Sequence, residues 1–124
     1  LAKTSKQQTG IFGEEAASTY LIENGYKVIT RNYRFKRGEI DIIAQKDDKY
    51  IFIEVKTRSR NDFGNPEDFV DERKQIEIIR TAEAFLEEQH HEGEIRFDII
   101  SVKNQGNENT PIIYHIEDAF FPIE

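Results

Sequence analysis

The segments Glu39–Gln45 and Tyr50–Lys56 flank the dipeptide Asp47-Asp48, and apolar residues occupy successive positions in both: Ile42, Ile43 and Ala44 in one, Ile51, Phe52 and Ile53 in the other. A strand with one wet face alternates apolar and polar residues, whereas a strand covered on both faces does not. A hairpin of this kind needs a layer of structure on each side. The expected fold class is therefore α/β, a central mixed sheet flanked by helices.

The remaining chain supplies those layers. Phe12, Ala16, Ala17, Tyr20 and Leu21 recur at helical spacing behind Thr9-Gly10 and Gly13, and the pattern stops at Asn24-Gly25, a common helix end. Tyr26 to Phe35 alternates Val28, Ile29 and Tyr33 with basic residues and reads as a strand. A polar loop with Asn61, Gly64 and Pro66 leads into a second helix that runs to about Glu88, with Gln75, Ile78, Ile79, Ala82, Phe85 and Leu86 on its inward side. Ile95–Val102 and Ile112–Ile116 read as further strands, separated by a loop from Asn104 to Thr110. The order is α, β, β, β, α, β, β. No repeat, Pro-rich linker or low-complexity run divides the 124 residues, which predicts a single domain over 1–124.

Composition narrows the chemistry. There is no Cys, so disulfides and thiolate metal sites are excluded and any metal must be held by oxygen or imidazole. No apolar run reaches the roughly 18 residues of a membrane span, and Leu1 to Gly10 is polar, so a cytoplasmic location is expected. The net charge of −7 is unevenly distributed. Residues 1–80 hold 15 Lys and Arg against 14 Asp and Glu, and residues 81–124 hold 2 against 10. Within Lys27–Arg37 there are five basic residues and no acidic one, with Tyr33 and Phe35 among them. That stretch reads either as a patch for a phosphate backbone or as a charged strand edge that resists aggregation. Walker-type Gly-x-x-x-x-Gly-Lys and Gly-x-Ser-x-Gly motifs are absent, which disfavours nucleotide and serine hydrolase chemistry by those routes. His90 and His91 are neighbours on a helix and do not face one site, and His115 stands alone in the last strand.

The hairpin itself carries the chemistry. A two-residue turn at Asp47-Asp48 sets Ile43 opposite Phe52, Asp41 opposite Glu54 and Glu39 opposite Lys56. Ile40, Ile42, Ala44, Ile51, Ile53 and Val55 then share an apolar face, with the charged residues on the other. Opposed carboxylates repel, so folding gains nothing from Asp41 against Glu54. A divalent cation removes the conflict, and Mg2+ takes one or two carboxylates while leaving room for water and phosphate. Lys56 can aim its ammonium at the same place. The competing explanation is a salt-bridge cluster on an open sheet face, worth at most about 1 kcal/mol per pair.

Gly38-Glu39-Ile40-Asp41 followed by Glu54-Val55-Lys56-Thr57-Arg58 resembles the signature segments of the YraN-like family of bacterial proteins. The likeness extends to Gly13-Glu14 with Ala17 and Tyr20-Leu21, to Asn32-Tyr33-Arg34, to Phe63-Gly64-Asn65-Pro66-Glu67, to Arg73-Lys74-Gln75 and to Arg96-Phe97-Asp98. It implies a restriction-endonuclease-like fold with αβββαβ core order and a variant of the Asp, Glu-x-Lys metal site, similar to Holliday-junction resolvases. By that resemblance Asp41 and Glu54 are metal ligands, Lys56 is the catalytic lysine, Glu14 on the first helix adds a carboxylate, the Val55 carbonyl is a further ligand, and Gln75 is a supporting polar residue. The Pro-Asp pair of the archetypal motif is missing before Asp41.

The expected function is hydrolysis of DNA phosphodiester bonds, including those of branched or structured DNA, by a Mg2+- or Mn2+-dependent endonuclease. Arg31, Arg34, Lys36, Arg37, Arg58 and Lys74, with Gln75, are the candidates for contacts to nucleic acid. The alternative is a non-catalytic nucleic-acid-binding or assembly module on the same fold. Phe120-Phe121-Pro122 reads as a cover for a sheet edge or as part of a homodimer contact.

Overall fold

In the computed structural model, which describes residues 5–59, 64–65, 70–104 and 110–121, the chain forms α1 (Ser5–Glu23), β1 (Lys27–Phe35), β2 (Gly38–Lys46), β3 (Lys49–Ser59), α2 (Glu72–Gln89), β4 (Ile95–Asn104) and β5 (Ile112–Phe120). The five strands make one sheet in sequential order, antiparallel except for β3 and β4. That parallel pair is joined by a crossover through α2, as parallel neighbours require. The fold is α/β with a mixed sheet.

The apolar runs of the hairpin are divided between two cores. Ile43 and Phe52 pack with Phe97, Ile99 and Phe120 beneath Ile78, Ala82 and Phe85 of α2. Ile42, Ala44, Ile51, Ile53, Ile100 and Val102 face the other way, onto Ala17 and Leu21 of α1. Each fully buried Ile or Phe stabilises the fold by about 1.5–3 kcal/mol, so covering both faces is what makes this hairpin foldable. Asp47 and Asp48 both take positive φ, 52° and 66°, as a type I′ turn demands.

Helix ends follow local chemistry. The Asp71 carboxylate accepts the Lys74 amide at 2.9 Å to cap α2 at its start. At its end His90 turns left-handed, and the His90 and His91 amides close onto Glu87 and Leu86 carbonyls. Gly25, at φ 87°, ends α1. The helix α1 begins earlier than expected, at Ser5, and runs through Gly10 and Gly13. Gly13 is there for contact: a Cβ would stand 1.8 Å from Thr57 Oγ1, so only glycine lets α1 lie this close to β3. Strand β5 runs on past Ile116 to Phe120, whose ring stacks on Phe97 at 5.2 Å, while Phe121 stays exposed. Asn61, Phe63, Pro66, Glu67 and most of the loop before β5 lie outside the described residues.

The sheet is tied to α1 by a buried polar chain that joins Asp98 and Arg96 to His115. Asp98 is fully buried on β4. Its carboxylate takes two bonds from Arg96, at 2.8 Å each, one from the Asp118 amide at 2.9 Å, and meets His115 Nε2 at 2.7 Å. Tyr20 of α1 bonds His115 Nδ1 at 3.0 Å, and Arg96 donates to the Tyr26 hydroxyl at 2.7 Å. Burial pushes the Asp98 carboxyl up, but the bonds from His115, Arg96 and Asp118 outweigh it and hold its pKa below the usual 3.8. The stability this contributes is complete above the unfolded-state pKa and lost as pH falls below it. Asp98→Asn is expected to cost about 2–4 kcal/mol at pH 7. Urea unfolding followed from pH 7 down to pH 3 should show the difference from wild type shrinking only below about pH 4.

Candidate metal and nuclease site

The site lies where the ladder of β2 with its neighbours is interrupted. Between β2 and β3 the pairing runs from Lys46–Lys49 to Ile42–Ile53 and stops. Between β1 and β2 it passes from Arg31–Ile42 to Tyr33–Ile40, leaving out Asn32 and Asp41. Asn32 has a left-handed backbone, φ 54°, which Asn tolerates better than most residues. The turn and register expected from the sequence hold as far as Ile42–Ile53. The predicted ladder pairs Asp41–Glu54 and Glu39–Lys56 do not form. Alternation also breaks at Asp41: Ile40 joins the core under α2, not the Ile42 face to which alternation assigned it.

Asp41 and Glu54 nevertheless meet, through their side chains. The parted strand leaves the Val55 amide without a carbonyl from β2, and Asp41 Oδ2 accepts it at 2.8 Å. Glu54 is buried, and its Oε2 lies 3.6 Å from Lys56 Nζ and 3.8 Å from Lys74 Nζ. Lys74 was expected to touch phosphate; here its ammonium reaches the carboxylate that Lys56 also serves. Among the described residues, Asp41 has no such cation within 4 Å. Burial, and next the charge of Glu54, push its pKa from 3.8 up to about 7, against the Val55 hydrogen bond.

Glu14 stands beside Asp41 from the α1 side. Burial and the Asp41 charge raise its pKa, while Asn32 and Arg31 oppose the rise. Its Oε1 is engaged by Asn32 Nδ2 at 3.1 Å and faces Arg31 at 3.6 Å. Glu15 is solvent-exposed and pairs with Arg31 at 2.8 Å. Among the described residues no three Asp, Glu or His side chains are drawn together tightly enough to enclose an ion. What is present is a carboxyl pair of hard oxygen donors, Glu54 buried and Asp41 half-buried, with two ammonium groups at its rim and a third carboxylate alongside. That donor set fits Mg2+ or Mn2+, with Asp41 and Glu54 as the holding pair.

The cationic candidates separate into groups. Arg34 is taken up by Glu39 at 2.8 Å and Arg31 by the two α1 carboxylates. Arg58 bonds the Gly64 carbonyl at 2.7 Å, and Gln75 bonds the Val70 carbonyl at 3.0 Å, so both secure the approach to α2. Lys36 and Arg37 remain exposed at the β1–β2 turn. Asn32 was missed as a positioning residue; its place in Asn32-Tyr33-Arg34 gave no hint of a left-handed backbone.

Because the Asp41 pKa is higher in the folded protein, the fold binds a proton that the unfolded chain has lost, and stability falls as pH rises from about 4 to 7. Asp41→Asn removes that penalty. The variant should be more stable than wild type by about 1–4 kcal/mol at pH 8 without divalent metal, with the gain fading toward pH 4 in urea titrations.

Comparison with known proteins places the chain. Residues 13–102 match the model of "Uncharacterised protein family UPF0102". A UPF0102 protein of Prosthecochloris aestuarii is 47% identical over 114 residues, covering 88% of this chain and 90% of that one. A UPF0102 protein of Sulfurihydrogenibium sp. is 44% identical over 116 residues, covering 93% and 96%. Among solved structures, that of Pyrococcus furiosus SfsA in complex with Ca2+ aligns with a TM-score of 0.35 at 12% identity, over 90% of this chain and 63%, under two thirds, of that one. The matched span includes Glu14, Asp41, Glu54 and Lys56, and with it the whole carboxylate site: the chain belongs to protein family UPF0102.

Proposed function

We propose that this protein is a metal-dependent nuclease that hydrolyses phosphodiester bonds, with DNA, including branched or structured DNA, as its substrate. One observation carries the proposal: half-buried Asp41 stands against buried Glu54 with no ion-pair partner of its own among the described residues, and burial and the Glu54 charge push its carboxyl up to about 7. A buried like-charge pair opposes folding, and functional sites are where such arrangements are kept. When bound, Mg2+ or Mn2+ would supply Lewis-acid polarisation of the phosphate and a lower pKa for water.

The chain's own residues do the rest. Asp41 and Glu54 hold the charge that positions the ion, Glu14 extends the carboxylate set, and the Val55 amide fixes the Asp41 carboxylate in place. The Lys56 ammonium, 31% exposed and next to Glu54, can donate to an attacking water and to the charge that develops on phosphorus oxygens. Lys74 balances Glu54 from the helix and is a second donor at the rim. A non-catalytic nucleic-acid-binding or assembly module is the second reading. It is supported by the engagement of Glu14 Oε1 with Asn32 and Arg31, which already satisfies part of that carboxylate within the protein.

The two are separated by incubating the protein with duplex, single-stranded, flap and four-way-junction DNA, and with RNA, with and without Mg2+ or Mn2+. Cleavage should require metal and fall by about 100-fold or more in Asp41→Ala, Glu54→Gln and Lys56→Ala variants of intact fold. Cleavage by wild type and variants alike would trace to a contaminant, and metal-independent binding without turnover would establish the second reading.

A further inference from the structure

A cavity of about 930 Å³ opens between α2 and the β1–β2 turn. Phe35 and Ile76 form its apolar part, 40% and 43% exposed, and Lys36, Arg37, Arg73 and Arg80 line it. Glu72 and Glu77 are the acids on its wall, so cations outnumber them on a chain whose net charge is −7. Of the other basic candidates, Arg31, Arg34 and Lys74 each sit within 4 Å of a carboxylate, and Arg58 bonds the Gly64 carbonyl. Among the described residues, none of Lys36, Arg37, Arg73 and Arg80 has such a partner.

Aromatic and cationic groups are presented here together. Lys36 Nζ sits 5.3 Å from the centre of the Phe35 ring, holding charge at the edge of an open aromatic surface. Farther along α2 the sign reverses: a neighbouring cavity that shares Phe35 and Arg80 is lined by Glu83, Glu87 and Glu88. The cationic length is therefore short and has a defined end. Unpaired nucleotides need this combination, with phosphates against guanidinium groups and base faces against exposed aromatic or apolar side chains. A continuous duplex encloses its base faces and has nothing to offer Phe35 and Ile76.

The groove also adjoins the carboxylates. Gly38, on its wall, precedes Asp41 by three positions on β2, about 10 Å of strand. Arg73 is next in the chain to Lys74, whose ammonium is 3.8 Å from Glu54. Gly38 also lets the start of β2 lie close against α2, since a Cβ there would stand 2.0 Å from Thr81 Oγ1.

We propose that this groove binds an unpaired strand of the nucleic acid beside the phosphate to be cleaved, so that the substrate class is nucleic acid with a single-stranded segment, not continuous duplex. The inference rests on the nuclease reading of Asp41, Glu54 and Lys56, and its test is a binding measurement that needs no turnover.

Fluorescence anisotropy of a labelled oligothymidine and of a blunt duplex of equal length, without divalent metal and over a range of salt, reads it directly. Arg73→Glu with Arg80→Glu should weaken single-strand binding about tenfold or more and lower the salt slope by at least about 1.4, while Arg73→Lys with Arg80→Lys largely retains binding. Phe35→Ala should cost about fivefold or more on the single strand. Duplex affinity should change far less in each. Thermal melts of these surface variants establish that they fold. Unchanged single-strand affinity in the Glu and Ala variants, or equal losses on duplex, would overturn the groove. Parallel cleavage assays with Mg2+ keep the two readings apart: groove-dependent binding without any cleavage removes the nuclease alone, and cleavage indifferent to the groove removes the groove alone.

Discussion

The hydrogen bond from the Val55 amide to Asp41 Oδ2 is the contact on which the site depends. A sheet strand normally gives its amides to its neighbour's carbonyls, and a buried amide left without a partner is costly. Here β2 and β3 part after Ile42 and Ile53, and a side chain takes over the role of the missing carbonyl. The substitution has two consequences. It makes room between the strands, and it fixes a carboxylate in that room against Glu54. The same interruption reaches β1, where Asn32 takes a left-handed backbone and turns its amide to Glu14. Elements from α1, β1, β2 and β3 thus meet at one irregularity, with α2 contributing Lys74 from its first turn.

Stability is supplied elsewhere. Two separate apolar cores clamp the regular part of the hairpin from both faces, and the Tyr20–His115–Asp98–Arg96–Tyr26 chain ties β4 and β5 to α1 and the residue that follows its end. That network is fully engaged, with Asp98 accepting two bonds from Arg96 and one from the Asp118 amide besides its contact with His115, so its buried charge is compensated. The carboxylate pair differs in kind: half-buried Asp41 meets the charge of Glu54 and, among the described residues, forms no ion pair of its own. The contrast identifies which polar cluster serves folding and which one folding has to tolerate.

Much of the architecture was legible in the residues. Unbroken apolar runs on either side of Asp47-Asp48 implied a hairpin buried on both faces, and helical spacing in Ala17–Leu21 and Ile78–Phe85 supplied the two covers. Asp41, Glu54 and Lys56 stood out because carboxylates are costly at strand positions. The details of their meeting were not legible. Strict alternation put Ile40 with Ile42, and only a break in the pleat at Asp41 sends Ile40 to the opposite core. Glycine at position 13 looked like a feature preceding the helix, and became instead the point where α1 touches Thr57 of β3.

Sequence alone determined what the chain must bury and which side chains carry chemistry, because periodicity and residue type are local properties. Tertiary structure decided which charges remain available. Arg31, Arg34 and Lys74 are equivalent to Arg37, Arg73 and Arg80 as letters, yet the first three lie against carboxylates and the last three line an open groove. His115, which has no sequence neighbour of note, is held against Asp98 only because β4 and β5 pair side by side. Whether a charge is spent within the protein or left for a partner depends on which distant residue the fold brings within a few ångströms, and Coulomb energy falls with that distance, not with separation along the chain.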